Sequence, residues 1–260
     1  MNAVVLMKPI HDPKVMLTEE EVNGADFGVK ERHMVFGPYD ENALETALCV
    51  KENVGLKVSV VIMGEDIPED MLRGVLAVGA DEVLLIPKSS WNLAAHEVAR
   101  VLKTVLDEID DVAMVLGGIQ SGDWDTGVVP PVLAALWEAP YVGNLVSIER
   151  ADAGWLVTSR EGGRTRKYRT RSPFVASVTS SGHNTLRYPT MRDRLQSKRK
   201  PIRKIDPAEF PPGRTVRLSW IPTEARSIAW ISGNSDAEKG QALVKRLTDR
   251  GWITWKGAKS

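Results

Sequence analysis

The residues best suited to hold a ligand run over 114–131, where the apolar Met114-Val115-Leu116 passes into a glycine-rich polar turn and then an alanine-rich segment. In an open α/β sheet such a strand-to-helix turn is where a nucleotide binds, because the strand ends leave a crevice and the next helix begins with unpaired amides. Gly117, Gly118, Gly122 and Gly127 permit close backbone approach, and Ser121 and Thr126 supply hydroxyls. The chemistry on offer is recognition of phosphate or ribose. The same residue types also suit a plain strand stop and helix start. The turn carries neither the GxGxxG dinucleotide fingerprint nor the P-loop pattern.

Nucleophilic and metal chemistry find no comparable constellation. His11, His33, His96 and His183 are scattered, and Cys49 stands alone, so neither an intrachain disulfide nor a cysteine-rich metal site is available. The turn after the first apolar run reads Met7-Lys8-Pro9-Ile10-His11, which is not the phosphate-gripping turn of an ATP-pyrophosphatase. An enzyme is disfavoured, and a stand-alone nucleotide-binding module is the blander alternative. Lys plus Arg and Asp plus Glu are each 34, and the resulting zero net charge disfavours a general nucleic-acid binder. Positive charge nevertheless gathers over 160–171 and 187–204, and negative charge over 19–21, 65–70 and 107–111. Each such run is a solvated face or a docking surface of opposite sign. No stretch approaches the ~20 apolar residues that span a bilayer, and the first apolar run is too short for a signal peptide. Together with the single cysteine this points to the cytoplasm.

The elements that must position the turn follow from hydrophobic spacing. A short buried strand is expected over 4–6, a helix over 41–52 with Asp40 as its N-cap, and a doubly buried strand over 58–63 ending at Gly64. A helix over 71–77, a strand over 82–86, a helix over 93–106 and a strand over 114–116 complete the alternation. That order predicts an α/β fold with a doubly wound parallel sheet. Beyond Pro140 four strands, over 142–148, 155–159, 166–169 and 174–178, are expected to form an antiparallel extension. Residues 180–232 show little periodicity before a terminal amphipathic helix over 236–250, which suggests an extended arm packed on another chain. Trp220, Trp230, Trp252 and Trp255 would anchor it. The expected division is a nucleotide-binding domain with its β extension over 1–180 and a recognition loop plus C-terminal arm over 181–260.

Five segments in register resemble the β subunit of electron-transfer flavoproteins. Val5-Leu6-Met7-Lys8-Pro9 with His11-Asp12-Pro13 is similar to that family's strand-one segment V-K-x-V-P-D. The run from Gly37 to Leu48 resembles N-P-Y-D-x-x-A-L-E-x-A-L, and Leu72 to Asp81 resembles L-R-x-A-L-A-M-G-A-D. Gly118 to Pro131 resembles the G-x-Q-S-x-D-x-D-T-G-x-V-x-P loop. Arg187-Tyr188-Pro189-Thr190 with Lys198-Arg199-Lys200-Pro201-Ile202 is similar to the R-Y-P-S…K-K-K-P-I segment.

The resemblance implies an adenine-nucleotide α-hydrolase-like sheet and a heterodimer with an α subunit that carries the redox-active FAD. It further implies a carrier, not itself a catalyst, that takes electrons from flavin-dependent dehydrogenases and passes them to a quinone reductase or other acceptor. This chain would hold a structural AMP, or a second FAD in the bifurcating branch. Carried over, the nucleotide contacts are Leu6, Gly37, Pro38, Tyr39, Asp40, Met63, Gly118, Ile119, Gln120, Ser121, Gly122, Asp123, Trp124, Asp125, Thr126, Gly127, Val128 and Val129. The partner-recognition loop would present Met191 at its tip, with Arg187, Tyr188, Arg192, Arg194, Lys198, Arg199 and Lys200 around it. A flexible thioether suits varied pockets, and the cations would steer acidic partners. Four positions depart from the pattern. Gly37 replaces an asparagine, Arg166 and Tyr168 replace an acidic and an aliphatic residue, and Val128 replaces a glutamine. The Asp125-Thr126-Gly127 form leaves AMP against a second FAD open.

Overall fold

The structure is a computed structural model that describes residues 1–15, 34–90, 92–207, 209–214 and 228–254. The chain opens with β1 (Asn2–Met7), every residue of which is buried, and then β2 (Pro9–His11) and β3 (Met34–Phe36), which pair antiparallel as a separate ribbon. Helix α1 (Pro38–Val54) follows, then β4 (Lys57–Met63), α2 (Glu69–Ala77), β5 (Glu82–Ile86), α3 (Ala95–Asp107), β6 (Val112–Gly118) and α4 (Val129–Leu136). The apolar runs of β1, β4 and β6 are buried on both sides because helices cover both faces of the sheet. Leu44 and Leu48 of α1 and Leu72, Val75 and Leu76 of α2 join one core layer, whereas Leu102, Val105 and Leu106 of α3 and Leu133 of α4 join the other.

The rest of the first unit comprises β7 (Tyr141–Ala151), β8 (Gly154–Glu161), β9 (Arg164–Thr170), β10 (Phe174–Val178), α5 (Met191–Ser197) and β11 (Ile202–Lys204). All strands except β2 and β3 form one nine-stranded sheet in the order β11-β5-β4-β1-β6-β10-β7-β8-β9. The doubly wound parallel sheet is therefore present. From β1 the chain winds outward through β4 to β5, then crosses back to lay β6 on the other side of β1. The winding reverses between β1 and β6, and their carboxyl ends bound the crevice where such sheets take ligands.

Three expectations are corrected. Only β7, β8 and β9 form the antiparallel meander; Phe174–Val178 instead inserts between β6 and β7 and runs parallel to both. All its residues are buried, so its apolar run marks a central strand. Asp40 is not the N-cap of α1, which is Gly37 with Pro38 in the first turn. The segment after residue 180 is also less irregular than its composition suggests. It supplies α5 and a strand, β11, that pairs in parallel with β5. The chain divides into two compact units, Met1–Ser219 and Trp220–Ser260. In the second unit α6 (Asp236–Asp249) starts at Ser235, whose hydroxyl accepts from Glu238 N, and none of its residues is buried. Trp220, Trp255, His33 and the acidic run 19–21 lie outside the described residues.

Candidate functional site

A cavity of about 440 Å³ opens at the carboxyl ends of β1, β4 and β6, at the reversal point of the sheet. Its floor and one wall are apolar, formed by Leu6, Val61, Met63, Leu93, Val98 and Leu102. The opposite wall is the polar loop after β6, represented by Gly118, Gln120, Ser121, Trp124, Thr126, Gly127, Val128 and Val129. A volume of a few hundred Å³ with an apolar body and a few convergent polar groups is the form of a small-molecule site.

Asp40 braces the site from beneath. Starting α1 at Pro38 turns this side chain back toward the strand ends, where one carboxylate oxygen accepts from Lys8 N at 2.9 Å and the other from Gly118 N at 3.1 Å. These are the amides at which β1 and β6 leave the sheet, so one side chain satisfies both. Burial pushes the Asp40 carboxyl up to about 7, against the lowering effect of the two amides and of the Lys8 charge. The Lys8 ammonium reaches Asp123 at 2.5 Å. Burial works to raise the Asp123 carboxyl, but the hydrogen bond and charge of Lys8 hold it below the ordinary carboxylate range.

The raised Asp40 value has a measurable consequence. Between the unfolded value of 3.8 and about 7 the folded chain binds this proton and the unfolded chain does not. Stability from Asp40 is therefore fully present below about 4 and is lost as pH rises through 7. Denaturant midpoints of the native chain and of Asp40→Asn should diverge in favour of the native chain as pH falls from 8 to 5. Parallel pH profiles would refute the assignment.

The loop is shaped by two glycines. Gly127 has φ of +60°, and a Cβ there would lie 2.5 Å from Ile119 O. A Cβ at Gly118 would lie 2.5 Å from Asp40 Oδ1 and 2.9 Å from Tyr39 C, so α1 sits against bare backbone. Amides from Thr126 to Val129 have no acceptor among the described residues. The first turn of α4 contributes less than expected, because Pro130 and Pro131 carry no N–H. Recognition of an anion would thus fall on the loop amides and hydroxyls more than on the helix end.

Of the residues expected at the nucleotide, Leu6, Asp40, Met63, Gly118, Gln120, Ser121, Trp124, Thr126, Gly127, Val128 and Val129 line the cavity. Gly37, Pro38, Tyr39, Ile119, Gly122, Asp123 and Asp125 stand behind that lining. Gly37 packs against Gly122, Ile119 N donates to Val178 O, and Asp125 N closes a turn onto Ser121 O. The sequence reading missed Lys8, Val61, Asn92, Leu93, Val98, Leu102 and Arg214. The expected helix over 93–106 contained the signal for three of these. Nothing local marked Arg214.

Around α5 the expected recognition residues separate into two groups. Met191 and Tyr188 are 76% and 95% exposed, and Leu195, one turn after Met191, is 62% exposed. Arg192, Arg194, Lys198 and Arg199 are also exposed. Arg187 and Lys200 are instead engaged within the chain. Arg187 pairs with Glu45 and Glu52 of α1, and Lys200 Nζ donates to Leu76 O and Ala80 O at 2.9 and 2.6 Å. Arg73 of α2 donates to Ser197 O and Lys200 O, which holds the end of α5. No helix among the described residues is long and apolar enough to cross a membrane, and none of their side chains cluster as a metal site.

Residues 27–210 match the family model for the electron transfer flavoprotein domain. The chain is 30% identical over 206 residues to the electron transfer flavoprotein subunit beta of Syntrophomonas wolfei, with 78% of each chain covered. It is 27% identical over 256 residues to the protein of the same name from Bacillus subtilis, covering 95% of this chain and 97% of that one. Protein FixA of Azorhizobium caulinodans is 28% identical over 176 residues, covering 65% of this chain and 62% of the relative. With the reversal-point cavity, the glycine loop and a family match over most of the chain in agreement, this protein belongs to the electron transfer flavoprotein β-subunit family.

Proposed function

We propose that this chain is the β subunit of a cytoplasmic heterodimeric electron carrier that holds a structural AMP. Its α subunit carries most of the contacts to the redox-active FAD, flavin-dependent dehydrogenases supply electrons, and a quinone reductase or similar acceptor removes them. The observation that carries this reading is the cavity itself, with an apolar slot on one side and open amides on the other. Leu6, Val61, Met63 and Val98 suit the faces of an adenine ring. Ser121, Thr126 and the amides of Thr126 to Val129 suit ribose and phosphate.

AMP supplies no redox chemistry; when bound it would tie β1, β6 and the loop together. This chain's own residues shape the slot, exclude water from it, and hold Asp40 under the strand ends. Elsewhere on the first unit, Met191 and Leu195 present an apolar tip amid four exposed cations, a surface suited to a dehydrogenase with an acidic rim. The unburied α6, together with exposed Trp230 and Trp252, supports the assignment of the second unit to contact with the α subunit.

The test is to purify the chain with its α subunit, release bound nucleotides with acid and quantify them by chromatography. One AMP and one FAD per heterodimer are expected. Two FAD without AMP would assign the bifurcating form, for which the Asp125-Thr126-Gly127 sequence is the motivating feature. A heterodimer with FAD alone, in a single copy, would overturn nucleotide binding by this chain.

A further inference from the structure

From the charges around the cavity we infer that Arg214 is a phosphate-binding residue, contributed from a part of the chain remote in sequence from the glycine loop. The inference rests on the adenine-nucleotide reading given above. Among the described residues three charged side chains line the cavity: Lys8, Asp40 and Arg214. Lys8 is neutralised by Asp123, and Asp40 is committed to the amides of Lys8 and Gly118. Arg214 is held more loosely. Its Nε lies 3.6 Å from Glu97 Oε2, and that oxygen already accepts from Ala94 N at 2.6 Å. The two terminal nitrogens of the guanidinium have no hydrogen-bond partner among the described residues, and a planar fork of donors matches phosphate oxygens.

The backbone fixes this placement. Arg214 N donates to Asn92 O at 2.8 Å, and Asn92 lines the cavity. Gly213 lies so close that a Cβ there would run into the Asn92 side chain. Arg214 is therefore held beside the start of α3, and it lines the same cavity as the loop whose amides are open. A phosphomonoester, as in AMP, or the diphosphate of a flavin dinucleotide would present the same oxygen chemistry to it.

The experiment measures AMP and adenosine binding by calorimetry to the nucleotide-stripped heterodimer, native and with Arg214→Gln or Arg214→Lys. Arg214→Gln should weaken AMP about tenfold, the size of one charge-assisted hydrogen bond at a half-exposed site, and leave adenosine unchanged. Arg214→Lys should recover part of the loss. Equal weakening of both ligands, or of neither, overturns the assignment while leaving the nucleotide reading standing. Failure of the native heterodimer to bind AMP overturns that reading and this inference with it. If the site takes a flavin dinucleotide, the same contrast should appear between FAD and riboflavin.

Discussion

Arg187→Ala is expected to lower the stability of the chain by roughly 2–4 kcal/mol, read as a shift in denaturant midpoint at constant slope. Glu45 on α1 has only 8% of its side chain exposed and takes three kinds of donor from Arg187: the backbone N at 3.1 Å, Nε at 3.0 Å and Nη2 at 2.7 Å. Truncating the guanidinium strands a carboxylate that is out of water. Breaking such a buried pair costs about 3–5 kcal/mol, and the figure is reduced here because the Arg187 side chain is 35% exposed. The outer bond, to Glu52, contributes less; Arg187 holds that exposed carboxyl below its ordinary range through the hydrogen bond between them. Adding Glu45→Gln to Arg187→Ala removes the stranded charge and should restore about half of the loss. An additive double mutant would show that the pair is not coupled. The same mutation frees the chain leading into α5, so any weakening of dehydrogenase docking would follow from lost positioning and not from lost surface charge.

Gly118→Ala should cost roughly 2–4 kcal/mol and empty the cavity of nucleotide. The added methyl meets the Asp40 carboxylate and the Tyr39 backbone, and a helix cannot yield as a side-chain tip can. To make room, α1 must move off the end of β6, which also breaks the bond from Gly118 N to Asp40. Gly55→Ala is the control. Gly55 has φ of +73° at the C-cap of α1, but a Cβ there meets nothing within 4 Å, so only about 1 kcal/mol of backbone strain is expected. Urea midpoints together with nucleotide content after purification check both variants. Equal losses at the two glycines would mean that strain, not the collision with α1, governs Gly118.

Asp40 shows what could and could not be read from spacing. An acidic residue just before an apolar periodic run has the pattern of an N-cap, and the helix does begin there. The cap is Gly37, because Pro38 already carries the helical φ and occupies the first turn. What Asp40 does depends on two amides, at Lys8 and Gly118, that are 32 and 78 residues away. Arg187 and Lys200 teach the same lesson from the other side. In the sequence they are members of a basic run, and only the approach of α1 and α2 turns them into internal fasteners.

The alternation of β-branched runs with amphipathic helices determined the doubly wound sheet from sequence alone, since residues buried on both faces must be apolar at every position. The glycine-rich turn after β6 likewise marked the loop that lines the cavity, because close backbone approach requires residues without side chains. The insertion of β10 between β6 and β7, the addition of β11 beside β5, and the arrival of Arg214 at the cavity were decided by tertiary structure. Strand order and long-range contact leave no local periodicity; they are set by which edges remain unpaired after the neighbouring elements have packed.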